Sequence, residues 1–261
     1  MPEGLEAEIY RRAAEHTLGR VIDRIDVDDH QPMAVELVRE LPGSTIRHAR
    51  RHGKHVLLDL DDGTAGDRTL GLHFGMTGRL VVDDVSAIDR LEYSSGRDDP
   101  AWNRLVIRFT DGTTLRVNDP RRWAVFTLDP DLGRLGPDFL SLDPADLERR
   151  LARRRAAVKT ILLDQSVVAG FGNMCVDEVL WQAGISPIAP ANSLDRCTID
   201  RLVATADEHL PAMLARGGSH TGTIDPEVRA AVPPCPRDGA PMRRDTVGGR
   251  TTVWCPVHQV G

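Results

Sequence analysis

Lys159-Thr-Ile-Leu-Leu-Asp-Gln-Ser-Val-Val-Ala-Gly-Phe-Gly-Asn-Met-Cys-Val-Asp-Glu178 is the stretch on which the reading of this chain turns. Its two ends carry apolar residues at helical spacing, and Gly170-Phe171-Gly172-Asn173 interrupts them with a sharp turn. Helix, turn and second helix together present backbone N–H groups and an Asn amide at a helix N-terminus, an arrangement suited to a phosphate. A single Gly-x-Gly would mean no more than a helical hairpin, but the run is long and its polar residues are specifically placed.

Working outward, residues Asp146 to Ala215 are rich in Ala and Leu and predict helices broken once, at Gly170 to Asn173. On the N-terminal side, Leu5, Ile9, Tyr10 and Ala13 predict an amphipathic helix over Pro2 to Thr17, with Gly19 as its stop. Short Val/Ile/Leu-rich runs follow at 21–27, 44–49, 55–60, 70–74, 105–109, 114–117 and 125–128. Asp61-Asp62-Gly63 and Asp111-Gly112 are turn signals between them, so the spacing predicts an antiparallel sandwich or barrel. Character changes near Leu135-Gly136-Pro137-Asp138, and Pro233-Pro234 closes the helical part. Three divisions result: residues 1–134, 135–230 and 231–261. The fold class is a multidomain α+β protein, with an N-terminal helix and β-sandwich, a helical domain and a C-terminal β-hairpin.

The 261 residues are 41% hydrophobic and 28% charged, a globular composition that excludes disordered and fibrous classes. No run approaches the roughly 18 apolar residues of a membrane helix, and the start lacks the basic and apolar regions of a signal peptide. A cytosolic protein with no membrane partner is expected. Four cysteines are too few and too unevenly spaced for a disulfide framework. The net charge of −6 opposes nucleic-acid binding unless positive charge gathers on one face, because such affinity rests on neutralising phosphates.

Five further groups of residues carry chemistry. Met1 before the small Pro2 is expected to be removed, leaving a secondary amine, and a nucleophile of that kind attacking a sugar C1′ yields an iminium. Glu3 and Glu6 stand beside it as proton donors or acceptors, although Pro and acids also suit an ordinary helix start. From Arg47 to His55, seven of nine residues are basic or titratable, ending in Gly53-Lys54; Lys54 either meets a phosphate or belongs to a solvated loop. His73-Phe-Gly-Met76-Thr-Gly-Arg79 and Asn118-Asp-Pro-Arg121-Arg122-Trp123 read as turns. Met76, Arg121 and Trp123 there form either a wedge for duplex DNA from which a base has been extruded, or core. Cys235-x-x-Asp238 and Cys255-x-x-His258, sixteen residues apart and flanking Arg250, are either a zinc site or the base of a metal-free hairpin held by Trp254 and prolines.

Taken together, Pro2-Glu3 with Glu6, Gly53-Lys54, the His73 to Leu80 motif, Asn118 to Trp123, Asp164-Gln165 through Glu178, and Arg250 before Cys255 make the chain resemble, nearly end to end, the formamidopyrimidine-DNA glycosylase and endonuclease VIII family. The resemblance implies a helix-two-turn-helix domain at 135–230 and a zinc-finger-like hairpin at 231–261. It also implies a bifunctional DNA glycosylase and abasic-site lyase of base-excision repair, working on oxidised bases as a monomer on damaged or abasic double-stranded DNA. Pro2 would form the Schiff base, Glu3 would assist ring opening and Lys54 would contact a phosphate beside the lesion. Release of the base would be followed by β,δ-elimination. His73, Asn173 and Arg250 would bind the backbone, while Met76, Arg121 and Trp123 would fill the vacated stack. Cys235, Asp238, Cys255 and His258 would hold a structural zinc. This sequence departs from the family pattern in having Asp238 and His258 for two cysteines and Cys175 for the usual aromatic residue. Only sixteen residues separate Gly218 from Cys235, too few for a purine-type lid. A non-catalytic lesion or DNA-structure binder on the same scaffold is the rival reading, and an RNA-associated protein using the helical turn alone is a third.

Overall fold

The computed structural model describes residues 2–63, 68–88, 91 and 96–260. Two compact units divide the chain: one holds Pro2 and Glu6–Leu132, the other Glu3–Leu5 and Gly133–Gly261.

The first unit contains most of α1 (Gly4–Ala14), which supplies Ala7, Tyr10 and Ala14 to its core. Two antiparallel sheets follow. One has five strands in the order β1-β7-β8-β5-β6, namely β1 (Ile22–Val27), β7 (Asn103–Phe109), β8 (Thr114–Asn118), β5 (Arg79–Val82) and β6 (Val85–Ser86). The other, β2-β3-β4-β9, is built from β2 (Thr45–His52), β3 (His55–Asp61), β4 (Arg68–His73) and β9 (Val125–Leu128). Alternate residues Val56, Leu58 and Leu60 of β3, Leu70 and Leu72 of β4, and Leu105, Ile107 and Phe109 of β7 enter one cluster, the period-2 pattern of a strand's core-facing side, while Leu57 of β3 is buried outside that cluster. A short helix α2 (Ala34–Glu40), β5 and β6 were not expected from the sequence. All four residues of β5 are buried, so it shows no alternation to detect, and α2 is seven residues long with no side-chain cap. The strand expected over 44–49 continues through the basic run to His52, and Gly53 and Lys54 form the turn before β3. Arg47 pairs with Asp61 and Arg50 with Asp59 across β2 and β3, each at most 3.0 Å, which neutralises much of the run's charge.

The second unit is helical and ends in a hairpin: α3 (Pro144–Leu151), α4 (Val158–Leu162), α5 (Asn173–Ala183), α6 (Arg196–Arg216), α7 (Pro226–Ala231), β10 (Arg243–Val247) and β11 (Arg250–Trp254). Leu5 joins Phe139, Phe171, Val176, Leu180 and Leu210 in its core. The helical run breaks more often than its periodicity predicts. Gly184 ends α5 in the left-handed conformation, Pro187 and Pro190 follow, and Asp195 starts α6 by accepting the Thr198 N–H at 2.8 Å. Gly248 and Gly249, both at positive φ, close the hairpin where Val247 pairs with Arg250. Among the described residues no helix is long and apolar enough to cross a membrane.

Candidate active site and nucleic-acid interface

Glu3, Gly4 and Leu5 belong to the helical unit. Glu3 is buried, and its carboxylate accepts the first N–H groups of α5, Met174 N to Oε1 at 2.8 Å and Cys175 N to Oε2 at 3.0 Å. A carboxylate there satisfies two orphan donors and meets the positive end of the helix dipole. The expectation of a phosphate site on these N–H groups is therefore corrected, because the anion they hold is Glu3 itself. Gly172 leaves room for it: a Cβ at that position would lie 2.2 Å from Glu3 Cδ. Gly4 N donates to Gly170 O at 2.9 Å, and Gly170, at φ +110°, has its missing Cβ against the Phe139 ring. Gln165 braces the turn by accepting Gly170 N at 3.0 Å and donating to Phe171 O at 3.0 Å. Pro2, also buried, is one peptide bond from this fixed carboxylate.

Asn173 opens α5 and directs Nδ2 to the carbonyl of Thr251, 3.0 Å away, immediately after the exposed Arg250. A buried ion cluster lies behind them. Asp177 pairs with Lys159 at 2.7 Å and with Arg229, the three side chains being 1%, 0% and 8% exposed. Burial pushes the Lys159 ammonium down and the Asp177 carboxyl up, and their mutual attraction opposes both shifts. This cluster is not evident from the sequence. Lys159 and Asp177 lie within the deciding stretch, but nothing in the sequence of α7 singles out Arg229.

Four donor groups of Cys235, Asp238, Cys255 and His258 lie within 4.8 Å of one another. Cys255 Sγ is 3.2 Å from Asp238 Oδ2, and Cys235 Sγ is 3.4 Å from His258 Nδ1. Tetrahedral zinc with bonds of about 2.0–2.3 Å puts neighbouring ligands roughly 3.5 Å apart, so the set fits that ion. Nε2 of His258 is 3.1 Å from the Trp181 carbonyl, which leaves Nδ1 as the ligand atom. All four cysteines are free thiols.

The sandwich unit carries the remaining residues. Gly53 (φ +57°) and Lys54 form the two-residue turn joining β2 to β3. His73 ends β4, its ring 5.0 Å from that of His55, and its Nδ1 accepts Gly75 N at 3.3 Å, placing the proton on Nε2. Burial, with the fields of His55 and Lys54, lowers the His73 pKa to about 4. Asp119 organises the two predicted turns. It accepts Thr77 Oγ1 from one turn and the N–H groups of Arg121, Trp123 and Ala124 at 3.1, 2.6 and 2.8 Å from the other. Gly75 completes the contact, because a Cβ there would lie 2.5 Å from the Trp123 carbonyl oxygen. The structure thus brings together the turn that contains Met76 and the turn that carries Arg121 and Trp123. Trp123 is 51% exposed with the Arg121 guanidinium 5.8 Å from its ring centre, which is not a core position.

Known proteins match this arrangement throughout its length. Residues 1–126 match the formamidopyrimidine-DNA glycosylase N-terminal domain and residues 135–225 the formamidopyrimidine-DNA glycosylase H2TH domain. The formamidopyrimidine-DNA glycosylase of Geobacter metallireducens is 36% identical, covering 98% of each chain, and that of Xanthomonas campestris pv. campestris is 35% identical, covering 99% of this chain and all of the other. Among solved structures, Lactococcus lactis Fpg with DNA containing N7-benzyl-Fapy-dG superposes with a TM-score of 0.80 at 28% identity over 99% of both chains. Fpg of the same organism with abasic-site DNA gives 0.80 at 27% identity, over 99% of this chain and all of that one. With both domains matched and relatives above one-third identity across its whole length, the chain belongs to the formamidopyrimidine-DNA glycosylase family.

Proposed function

We propose that the protein is a bifunctional DNA glycosylase and abasic-site lyase acting on oxidised bases through Pro2. One observation carries this reading: the carboxylate of Glu3 is fixed on the N-terminus of α5, next to the residue whose amine would react. The Pro2 nitrogen attacks C1′ and the base leaves with the glycosidic electron pair, protonated by solvent. The new ammonium passes its proton to Glu3, which returns it to O4′ as the C1′–O4′ bond breaks and the iminium forms. That iminium acidifies C2′–H, so loss of the proton expels the 3′-phosphate and a second elimination expels the 5′-phosphate. Water then releases Pro2.

Around this chemistry, Lys54, His73, Asn173 and Arg250 are assigned to the phosphates, and Met76, Arg121 and Trp123 to the gap left by the extruded nucleotide. Neutral His73 offers Nε2–H as a donor. The division of labour follows residues 1–134, 135–230 and 231–261, with duplex DNA as partner to a monomeric, cytoplasmic protein. Zinc bound by Cys235, Asp238, Cys255 and His258 would be structural, cross-linking the two turns at the base of the hairpin that carries Arg250. Between Gly218 and Cys235, Ile224 N is tied to Glu178 at 2.8 Å and Arg229 to Asp177. Little chain remains to close over a purine, which favours formamidopyrimidines, oxidised pyrimidines and abasic sites over 8-oxoguanine.

Borohydride tests this reading. It should trap a covalent adduct with duplexes bearing an abasic site, an oxidised pyrimidine or a formamidopyrimidine, and least with 8-oxoguanine. Pro2→Gly should bind the abasic duplex within about threefold of the parent while adduct falls at least roughly a hundredfold. Equal trapping by the variant, or binding by the parent with no adduct on any substrate, would refute it.

A further inference from the structure

The carbonyl of Thr251 is the acceptor of three donors from three helices. Arg229 Nη2 lies 2.8 Å away, Lys159 Nζ 3.0 Å and Asn173 Nδ2 3.0 Å. A carbonyl has two lone pairs, so three donors on it amount to a clamp. Neighbouring atoms are fixed by the same groups: Lys159 also donates to Thr252 Oγ1 at 2.7 Å, and that hydroxyl donates to the carbonyl of Arg250 at 3.1 Å. Gly248, in the hairpin turn, rests on Thr160, where a Cβ would come within 2.6 Å of its Oγ1. Burying two cations on one carboxylate is a poor device for stability alone, since apolar replacements of similar volume are commonly neutral or better.

We infer that Arg229, by spanning Asp177 and the Thr251 carbonyl, is a positioning residue for DNA binding: it holds the backbone of Arg250 and the amide of Asn173 in the geometry that meets a phosphate. Asn173 has two N–H bonds on Nδ2. Thr251 takes one and thereby orients the other. Arg229 itself is 7% exposed and lies under the surface it organises. The inference rests on the assignment of Arg250 and Asn173 to the DNA backbone.

The test is binding of the full-length protein to a duplex containing a tetrahydrofuran abasic analogue, measured across salt concentrations for Arg229→Met, Arg250→Ala and the double variant. Each lost phosphate contact lowers the slope of log affinity against log salt by about 0.9. Arg229→Met should lose about one contact's slope and roughly tenfold in affinity, and the double variant should bind within about twofold of Arg250→Ala. A variant destabilised without mispositioning would keep the parental slope. Should Arg229→Met fail to fold, Arg229→Lys retains a cation on Asp177 but cannot span both partners, and it should show the same flattened slope. A parental slope in either folded variant, or losses that multiply in the double variant, overturns the inference. A parental slope in Arg250→Ala instead overturns the phosphate assignment beneath it.

Discussion

Glu3 shows how much can depend on one side chain. Its carboxylate lies where a Gly172 side chain would be, so Gly172→Ala is expected to displace it while leaving the rest of α5 in place. Overpacking of that kind costs about 1–3 kcal/mol, and the borohydride trapping rate should fall roughly 10- to 100-fold, more than affinity for an abasic duplex does. A parental trapping rate in the folded variant would show that Glu3 placement is not what prepares Pro2. His73 offers a second test. Its pKa of about 4 lies below the unfolded value of about 6.5, so the folded state keeps the ring neutral while the unfolded chain gains a proton. Its contribution is complete above pH 6.5 and is lost as pH falls toward 4, a span on the order of 3 kcal/mol. Thermal melts of His73→Gln between pH 7 and pH 4.5 should therefore decline less steeply than those of the parent, and parallel declines would contradict the assignment.

The elements differ in how openly the sequence declared them. β7 was legible because its apolar residues alternate, and β3 because its Val/Leu-rich run ends at the Asp61-Asp62-Gly63 turn signal. β5 was not, because it is buried on both faces; the start of β2 was legible, but its continuation to His52 was hidden by basic residues such as Arg50, whose carboxylate partner lies across the sheet rather than along the chain. Site residues followed the same rule. Pro2, Lys54, Asn173 and the Cys/His spacing are local signals. Arg229 draws its importance from partners distant in sequence and gave no signal, Asp119 lay within the legible 118–123 motif without its bond to Thr77 being evident, and the helix N-terminus suggested an anion without revealing that the anion was Glu3, 171 positions away. The terminal hairpin is an element held mainly by its base, since two strands alone are marginal in water. Cys255→Ser should abolish co-purifying zinc and lower the melting temperature by roughly 5–15 °C. Metal analysis and a melt of protein purified without added zinc would check this, and an unchanged melt would indicate a hairpin stable without metal.

For the molecule as a whole, the net charge of −6 suits a DNA glycosylase only if its cations are sorted by place rather than number. Such sorting is visible in that Arg47 and Arg50 are neutralised by Asp61 and Asp59, whereas Arg121 is exposed in the 118–123 turn and Arg250 is exposed at the start of β11. Catalysis in this account depends on a secondary amine at the mature N-terminus, which no other group in the chain can supply. The decisive measurement is mass spectrometry of the species trapped by borohydride on abasic-site DNA, read after proteolysis. The expected result is a chain lacking Met1 with the reduced sugar fragment on the nitrogen of Pro2. A retained or blocked terminus, or a fragment carried by the side chain of Lys54, would contradict the account.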